Sequence, residues 1–336
     1  MSPIFAGLGR MVWRRLLQLD RPAPPLSDRE VAAEVERNYR WNFTVNLLDG
    51  VAFWMGLYFA SPTTILPLFL SKLTTNTFII GLVAVINQAG WNLPQLFVAG
   101  PTERLARKKP IVINLGFFLE RMPIWWWPLA ALLAFRFPVL AIIVLLAAYA
   151  WHALGAGIIA PAWQDMLAKC FPVNRRGRFF GLAAFLGTGV GAVSAICSSW
   201  FLKTYAFPLN FFYPFLLAAV FINLSWVFLA LTREPVQPVI PPPPGADQLW
   251  SKWVRIFRQD HNFRQFLQAR FLMAMGGMGV GFVTVGAVRQ WHIADSTAGL
   301  YTVALLIGQA GGNLLAGFLA DHFGHKLPLE IGVAFM

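Results

Sequence analysis

The chain has 336 residues, 57% of them hydrophobic and only 12% charged, with a formal net charge of +12. A soluble domain carries about 25% charged residues, so a water-facing surface cannot be built from this composition and a soluble globular class is excluded. The 14 Trp and 30 Phe suit lipid-facing helices and interfacial belts. Cys170 and Cys197 have neither paired nor metal-like spacing, so no disulfide framework and no zinc site are read from them.

Residues 1–41 carry Arg14, Arg15, Asp28, Glu30, Glu34 and Glu36 in place of an apolar signal core. This segment is expected to stay in the cytoplasm. Lipid offers bare backbone groups no partner, so a crossing helix needs about 20 mostly apolar residues. Eight stretches have that length, near 43–68, 78–100, 110–134, 138–162, 178–202, 209–232, 265–288 and 297–319. A ninth begins at Pro328 and reaches the last residue, Met336, too soon to cross.

Alternate loops set the orientation. The N-terminal segment and the loops on its side hold 21 of the 27 Lys and Arg, and the opposite loops hold four: Lys72, Arg136, Lys203 and Arg289. The remaining two, Arg121 and Arg270, fall inside spans. The expected topology is N-terminus in, in a bacterial-type plasma membrane. The basic residues are then topology signals and contacts for anionic lipid, and nucleic acid is not a partner.

Four regions are predicted: a cytoplasmic segment at 1–41, a six-helix bundle at 42–232, a cytoplasmic linker at 233–263 and a partial second bundle at 264–336. The linker is proline-rich (Pro235, Pro238, Pro241 to Pro244), and its Leu249–Phe257 stretch reads as an amphipathic helix on the inner membrane face. The fold class is all-α and polytopic.

The loops after spans 2 and 8 match one another. After span 8 stands Gly317-Phe-Leu-Ala-Asp321-His-Phe-Gly324-His325-Lys326, and after span 2 stands Ala99-Gly-Pro-Thr-Glu103-Arg104-Leu-Ala106-Arg107-Lys108. A gap-free shift of 218 residues also pairs Gly81 with Gly299 and Pro110 with Pro328. The second copy resembles the G-x-x-x-D-x-x-G-x-K loop between helices 2 and 3, or 8 and 9, of the major facilitator superfamily. The first copy looks like a degraded version with Ala99 and Ala106 at glycine positions. The resemblance implies a two-bundle transporter fold whose second bundle is incomplete, because the chain looks truncated within the ninth helix. It also implies that helices 1, 2, 7 and 8 line a central cavity while helix 3 is peripheral. Span 4 carries His152 where proton-coupled antiporters of the family tend to carry an arginine, which leaves the coupling ion open between a proton and another ion.

Intramembrane polar residues are functional candidates because burying them is costly. Asn42, Asn46 and Asp49 form one stripe of span 1. Asp49 reads either as a proton carrier or as a satisfied helix-to-helix hydrogen bond. Gln88, Asn92 and Gln95 form a stripe in span 2, Arg270 sits in span 7, and Gln309 and Asn313 sit in span 8. The expected substrate pathway is Asn46, Asp49, Gln88, Asn92, Arg270, Gln309 and Asn313, with helix-to-helix bonding as the alternative for each amide.

The expected inner gate is Glu103, Arg104, Arg107, Asp165, Gly317, Asp321, Gly324 and Lys326, with Asp165 pairing with Arg104 or Arg107 when that gate is closed. Glu120 and Arg121 are expected as an intramembrane structural ion pair. Consecutive helical residues diverge by about 100°, so each is also expected to serve a partner of its own. Glycines 181, 187, 189 and 191 permit close packing or hinge bending in span 5, as Gly276, Gly277, Gly279 and Gly281 do in span 7. Trp125 to Trp127 are expected at lipid and the outer interface. No nucleotide loop, nucleophile triad or metal cluster is read, so no cofactor, no metal and no enzymatic chemistry are expected. The function expected is a monomeric secondary transporter of a small solute, and the alternative is a membrane sensor or scaffold that keeps the fold without transport.

Overall fold

The computed structural model describes residue 18, residues 27–236, residue 255, residues 257–277 and 279–323, and positions 327, 330 and 331. The side chains of Arg270, Asn313, Gly317 and Asp321, the residues Gly324 and Lys326, and most of the Pro-rich linker with its amphipathic stretch lie outside that description.

The first helix, α1 (Asp28–Phe59), starts well before the apolar stretch because Ser27 and Glu30 form a capping box. The Glu30 carboxylate accepts the Ser27 amide at 2.8 Å, and the Ser27 hydroxyl accepts the Glu30 amide at 3.4 Å. The Ser27 amide and the Ser27 hydroxyl, each donating to that carboxylate at 2.8 Å, hold the Glu30 carboxyl below its usual range. The helix also ends earlier than its apolar run. Pro62 disfavours helical backbone at Ser61, whose carbonyl accepts the amides of Thr64, Ile65 and Leu66 and starts a new helix, α2 (Ile65–Leu73).

The second span is divided at Leu93-Pro94 into α3 (Thr77–Asn92) and α4 (Gln95–Glu103). Asn76 caps α3 by accepting the Phe78 amide at 2.9 Å. The third span opens with two π-helical segments, Ile111–Leu115 and Phe117–Arg121. It passes through a 3₁₀ turn at Met122–Trp125 into α5 (Trp126–Leu133). Three long helices follow: α6 (Pro138–Cys170), α7 (Arg176–Thr204) and α8 (Leu209–Ala230). By length and composition, Pro138–Cys170, Val173–Thr204 and Leu209–Ala230 are long and apolar enough to cross a membrane. Beyond the linker come α9 (His261–Gly277), α10 (Val280–Gln290) and α11 (Thr297–Phe323). No strand occurs among the described residues.

The first helix is the hub, packed along α8 and α7. Two apolar clusters stack along it. One gathers Phe59, Phe69, Trp127, Phe211, Phe215 and Ile222, and the other gathers Ile111, Met166, Phe171, Phe179 and Leu229 around the stacked Phe171 and Phe179 rings. Glycine decides how closely the helices approach. A side chain at Gly56 would strike Ile222 and the Ala218 carbonyl, and Gly187 and Gly191 make room for the rings of Trp54 and Tyr58. Gly181 and Gly189 face open space and play no such part. The outer surface is apolar, with Phe118, Phe135, Ile143, Phe185 and Ile196 exposed, as lipid-facing helices require. Trp125 and Trp126 share that exposure, but Trp127, expected beside them, is fully buried with its ring edge-on to Tyr149 and His152.

Candidate functional site

Between the helices preceding the linker and the pair α10–α11 lies a cavity of about 640 Å³. The first helix presents Asp49, Phe53, Trp54 and Tyr58 to it, α3 presents Asn87 and Trp91, and the π-helical turn presents Glu120 and Arg121. Tyr149, His152 and Trp163 come from α6, and Thr302, Leu306 and Gln309 from α11.

The polar centre is a compact cluster. Arg121 Nη1 stands 2.5 Å from Glu120 Oε2, and the guanidinium lies over the Phe53 ring at 5.0 Å. His152 Nδ1 is 2.7 Å from the Glu120 carbonyl, so this ring nitrogen carries the proton and donates it. Asp49 is only 5% exposed, yet its Oδ1 has no hydrogen-bond partner. Ser225 is close enough to act on it electrostatically without making a hydrogen bond of regular geometry. The Tyr149 hydroxyl likewise has no partner. Buried polar groups are normally satisfied, so unpartnered groups on a cavity wall mark a place where a bound solute or water would complete the set.

Several expectations are corrected here. Glu120 and Arg121 neither diverge nor sit at the periphery: the widened helical turn lets the two side chains meet, and both face the cavity. Asn46 does not reach the cavity. Its amide nitrogen donates to the Asn42 carbonyl at 2.8 Å and its amide oxygen accepts from Thr232 at 3.2 Å. Asn42 in turn exchanges two 2.9 Å bonds with the Arg233 backbone, so this stripe fastens α1 to the end of α8, and Asp49 alone of the stripe opens inward. In α3 the wall residue is Asn87, one position from Gln88 and so turned by about 100°. Gln88 lines a smaller recess of about 60 Å³ against α10. Asn92 is exposed and donates to the Gln88 carbonyl at 2.8 Å, while Gln95 donates to the Trp91 carbonyl at 2.7 Å. The first bond stays within α3, and the second ties α4 back to α3 across the Leu93-Pro94 break. Gln309 is on the cavity wall.

At one end, polar contacts join the two sets of helices. Lys72 meets Asp295 at 2.7 Å, and Arg289 donates to the carbonyls of Ser71 and Thr74 at 2.6 Å each. The Thr64 and Thr302 hydroxyls are 2.5 Å apart, and Ser199 donates to the Ser296 carbonyl. Gly299 lets α11 press on the Ala195 carbonyl of α7.

At the other end, the loop after α4 folds around Lys108. Its ammonium donates to the carbonyls of Thr102, Glu103 and Leu105 at 2.6, 3.0 and 2.6 Å, and it lies 3.3 Å from Asp165. Glu234 accepts the backbone amides of Lys108 and Lys109 at 2.8 to 3.0 Å, and Lys109 Nζ donates to the Thr232 carbonyl at 2.8 Å. Asp165 here pairs with Lys108 and, at 3.4 Å, with Lys169, while the pairing with Arg104 or Arg107 was expected for the closed inner gate. The turn at Lys108 curls its side chain inward, whereas Glu103 and Arg104 remain exposed and Arg107 half-buried. Burial holds the Lys108 and Lys109 ammoniums below their usual range. Burial likewise pushes the Glu234 carboxyl up, against the two backbone hydrogen bonds that favour its charge.

The wall aromatics and Glu234 were not singled out from the sequence. The aromatics follow Asp49 at one helical turn (Phe53, Trp54), a signal hidden in a chain rich in Phe and Trp. Comparison with curated protein sequences returns no match. A family model described as Major Facilitator Superfamily matches residues 121–336, well over half of the chain, and so this integral membrane protein belongs to the major facilitator superfamily of transporters.

Proposed function

We propose that this transporter carries a small solute across the membrane by alternating access, with the cavity at Asp49, Glu120 and Arg121 as the solute site. The observation that carries the reading is a closed end. Segments 61–77 and 289–302 are joined by Lys72–Asp295, Arg289 and Thr64–Thr302, with the charged cavity lying behind them. With the basic loops on the cytoplasmic side, this end faces outward, and the arrangement corresponds to an outward-closed state. Rocking α10 and α11 away from α2 and α7 would break those few polar contacts and open the cavity to the other side. The bacterial-type plasma membrane, the cytoplasmic N-terminus, the monomeric state and a coupling ion, a proton or another, belong to the same proposal.

The test replaces Cys170 and Cys197 with serine and places one cysteine on the cavity wall by Gln309→Cys. Membrane-impermeant thiol reagents are then applied to right-side-out and inside-out vesicles. Labelling from both faces is the expected result. Labelling from one face alone under every condition supports a scaffold that keeps the fold without transport.

A further inference from the structure

The substrate class can be read from the charge and ring content of the cavity wall, on the basis of the transport reading above. We propose that the cavity takes an organic monocation with a bulky aromatic or apolar body.

Three observations converge on this class. The first is charge. The described wall carries two carboxylates, Asp49 and Glu120, against one guanidinium, Arg121. That guanidinium is already engaged by Glu120 at 2.5 Å and by the Phe53 ring at 5.0 Å. Asp49 is itself almost closed to solvent, and its Oδ1 has no hydrogen-bond partner. Arg121 and Ser225 act on it, but that one guanidinium is shared with Glu120, so the two carboxylates leave a negative charge over, and a cationic ligand is what would complete them.

The second observation is the rings. Trp54, Tyr58, Trp91, Tyr149 and Trp163 all border the cavity, and aromatic faces attract cations, tryptophan most of all. Trp54 and Tyr58 are stacked at 5.8 Å and seated on Gly187 and Gly191, so their positions are fixed before any ligand arrives. Rings already in place need little ordering on binding.

The third is what the wall lacks. Besides the charged cluster, several of its polar groups are committed within the protein: the Thr302 hydroxyl to Thr64 and to the Ala298 carbonyl, the Ser61 and Thr63 hydroxyls to each other at 3.0 Å, and His152 Nδ1 to the Glu120 carbonyl. An organic anion needs a free cation. The described wall supplies none, while a cavity of about 640 Å³ has room for a drug-sized ion.

The test uses two ions of the same shape and opposite charge, tetraphenylphosphonium and tetraphenylborate. Each is titrated into the purified full chain in nanodiscs, and binding is read as the saturable quenching of tryptophan fluorescence. The phosphonium is expected to bind at least roughly tenfold more tightly than the borate, with Asp49→Asn removing that preference. Trp54→Leu, which keeps the apolar bulk and loses the indole face, is expected to weaken the phosphonium several-fold and to leave the borate unchanged. Should Asp49→Asn not fold, the Trp54→Leu pair of titrations decides the matter. Equal or tighter borate binding, or phosphonium affinity indifferent to both substitutions, overturns the proposal. Because these are equilibrium measurements, they separate from the labelling test. A cation that binds to a cavity labelled from one face only removes transport and keeps the site, and a cavity reached from both faces that prefers the borate removes the cation and keeps transport.

Discussion

Arg121 closes on the carboxylate of its own sequence neighbour, Glu120, at 2.5 Å, and the pair shares the cavity wall with Asp49. Neither the Nε nor the Nη1 of Arg121 has an aligned hydrogen bond, so the contact is one of charge and of the Phe53 ring more than of geometry.

A buried pair reacts strongly to the loss of one partner, because the other charge is left uncompensated. Glu120→Gln is therefore expected to lower stability by about 3–5 kcal/mol, and the double change Glu120→Gln with Arg121→Leu to lower it by less. Thermal unfolding of the detergent-solubilised single and double variants measures the difference. Additive losses would show that the two side chains do not depend on each other.

Close backbone contact holds this pair in place. A methyl group at Gly155 of α6 would run into the Leu119 carbonyl, one residue before Glu120. Gly155→Ala is expected to push the π-helical turn away from α6 and to destabilise the protein by about 1–3 kcal/mol, as overpacking does. The same unfolding assay reads it, with Gly189→Ala, which faces open space, as the neutral comparison.

The loop clasp predicts a pH dependence. Burial lowers the Lys108 and Lys109 values from the ordinary 10.5, so the native state holds fewer protons than the unfolded chain between the lowered and ordinary values. Stability therefore rises with pH across that alkaline window, and below it the penalty is present in full. Glu234, raised above the ordinary 4.5 by burial, acts in the opposite sense, and its contribution falls as pH climbs from that value. Lys108→Gln is expected to flatten the alkaline rise in melting temperature, and Glu234→Ala, by freeing two backbone amides, to cost about 1–3 kcal/mol near neutral pH.

The closed end offers a covalent test. In a Cys170→Ser, Cys197→Ser background, Thr64→Cys with Thr302→Cys replaces hydroxyls 2.5 Å apart. Oxidation is expected to join them and to block labelling of Gln309→Cys from the outer face, and reduction to restore it.

Much of the architecture is legible in the sequence, because lipid imposes long apolar runs and leaves cations in the loops, and the positions of α6, α7 and α8 follow from those runs alone. Helix breaks are less legible. The division at Ser61-Pro62 needs a local hydrogen-bond pattern that hydropathy does not register, and the extension of α1 back to Asp28 needs the capping box to be weighed against a polar segment. At the site, Asp49 stands out as a carboxylate in an apolar run, and the cavity receives it. Asn46 carries the same signal and goes to Thr232, since an amide on a helical stripe can serve a neighbouring helix as readily as a solute. The pairing of Glu120 with Arg121 depends on a π-helical turn, and an angular argument built on a regular α-helix points the wrong way there. Lys108 gives no hint in sequence that it turns inward, because a basic loop reads first as a topology signal.

The most direct measurement is a distance across the closed end. Spin labels at Thr75→Cys and Ala294→Cys, both exposed positions near the Lys72–Asp295 bridge, report by pulsed electron resonance in nanodiscs whether that end opens. The account predicts two populated distances, a short one for the arrangement described here and a longer one for the outward-open state, with Lys72→Ala shifting weight to the longer. A single short distance under all conditions, unchanged by Lys72→Ala, would contradict it.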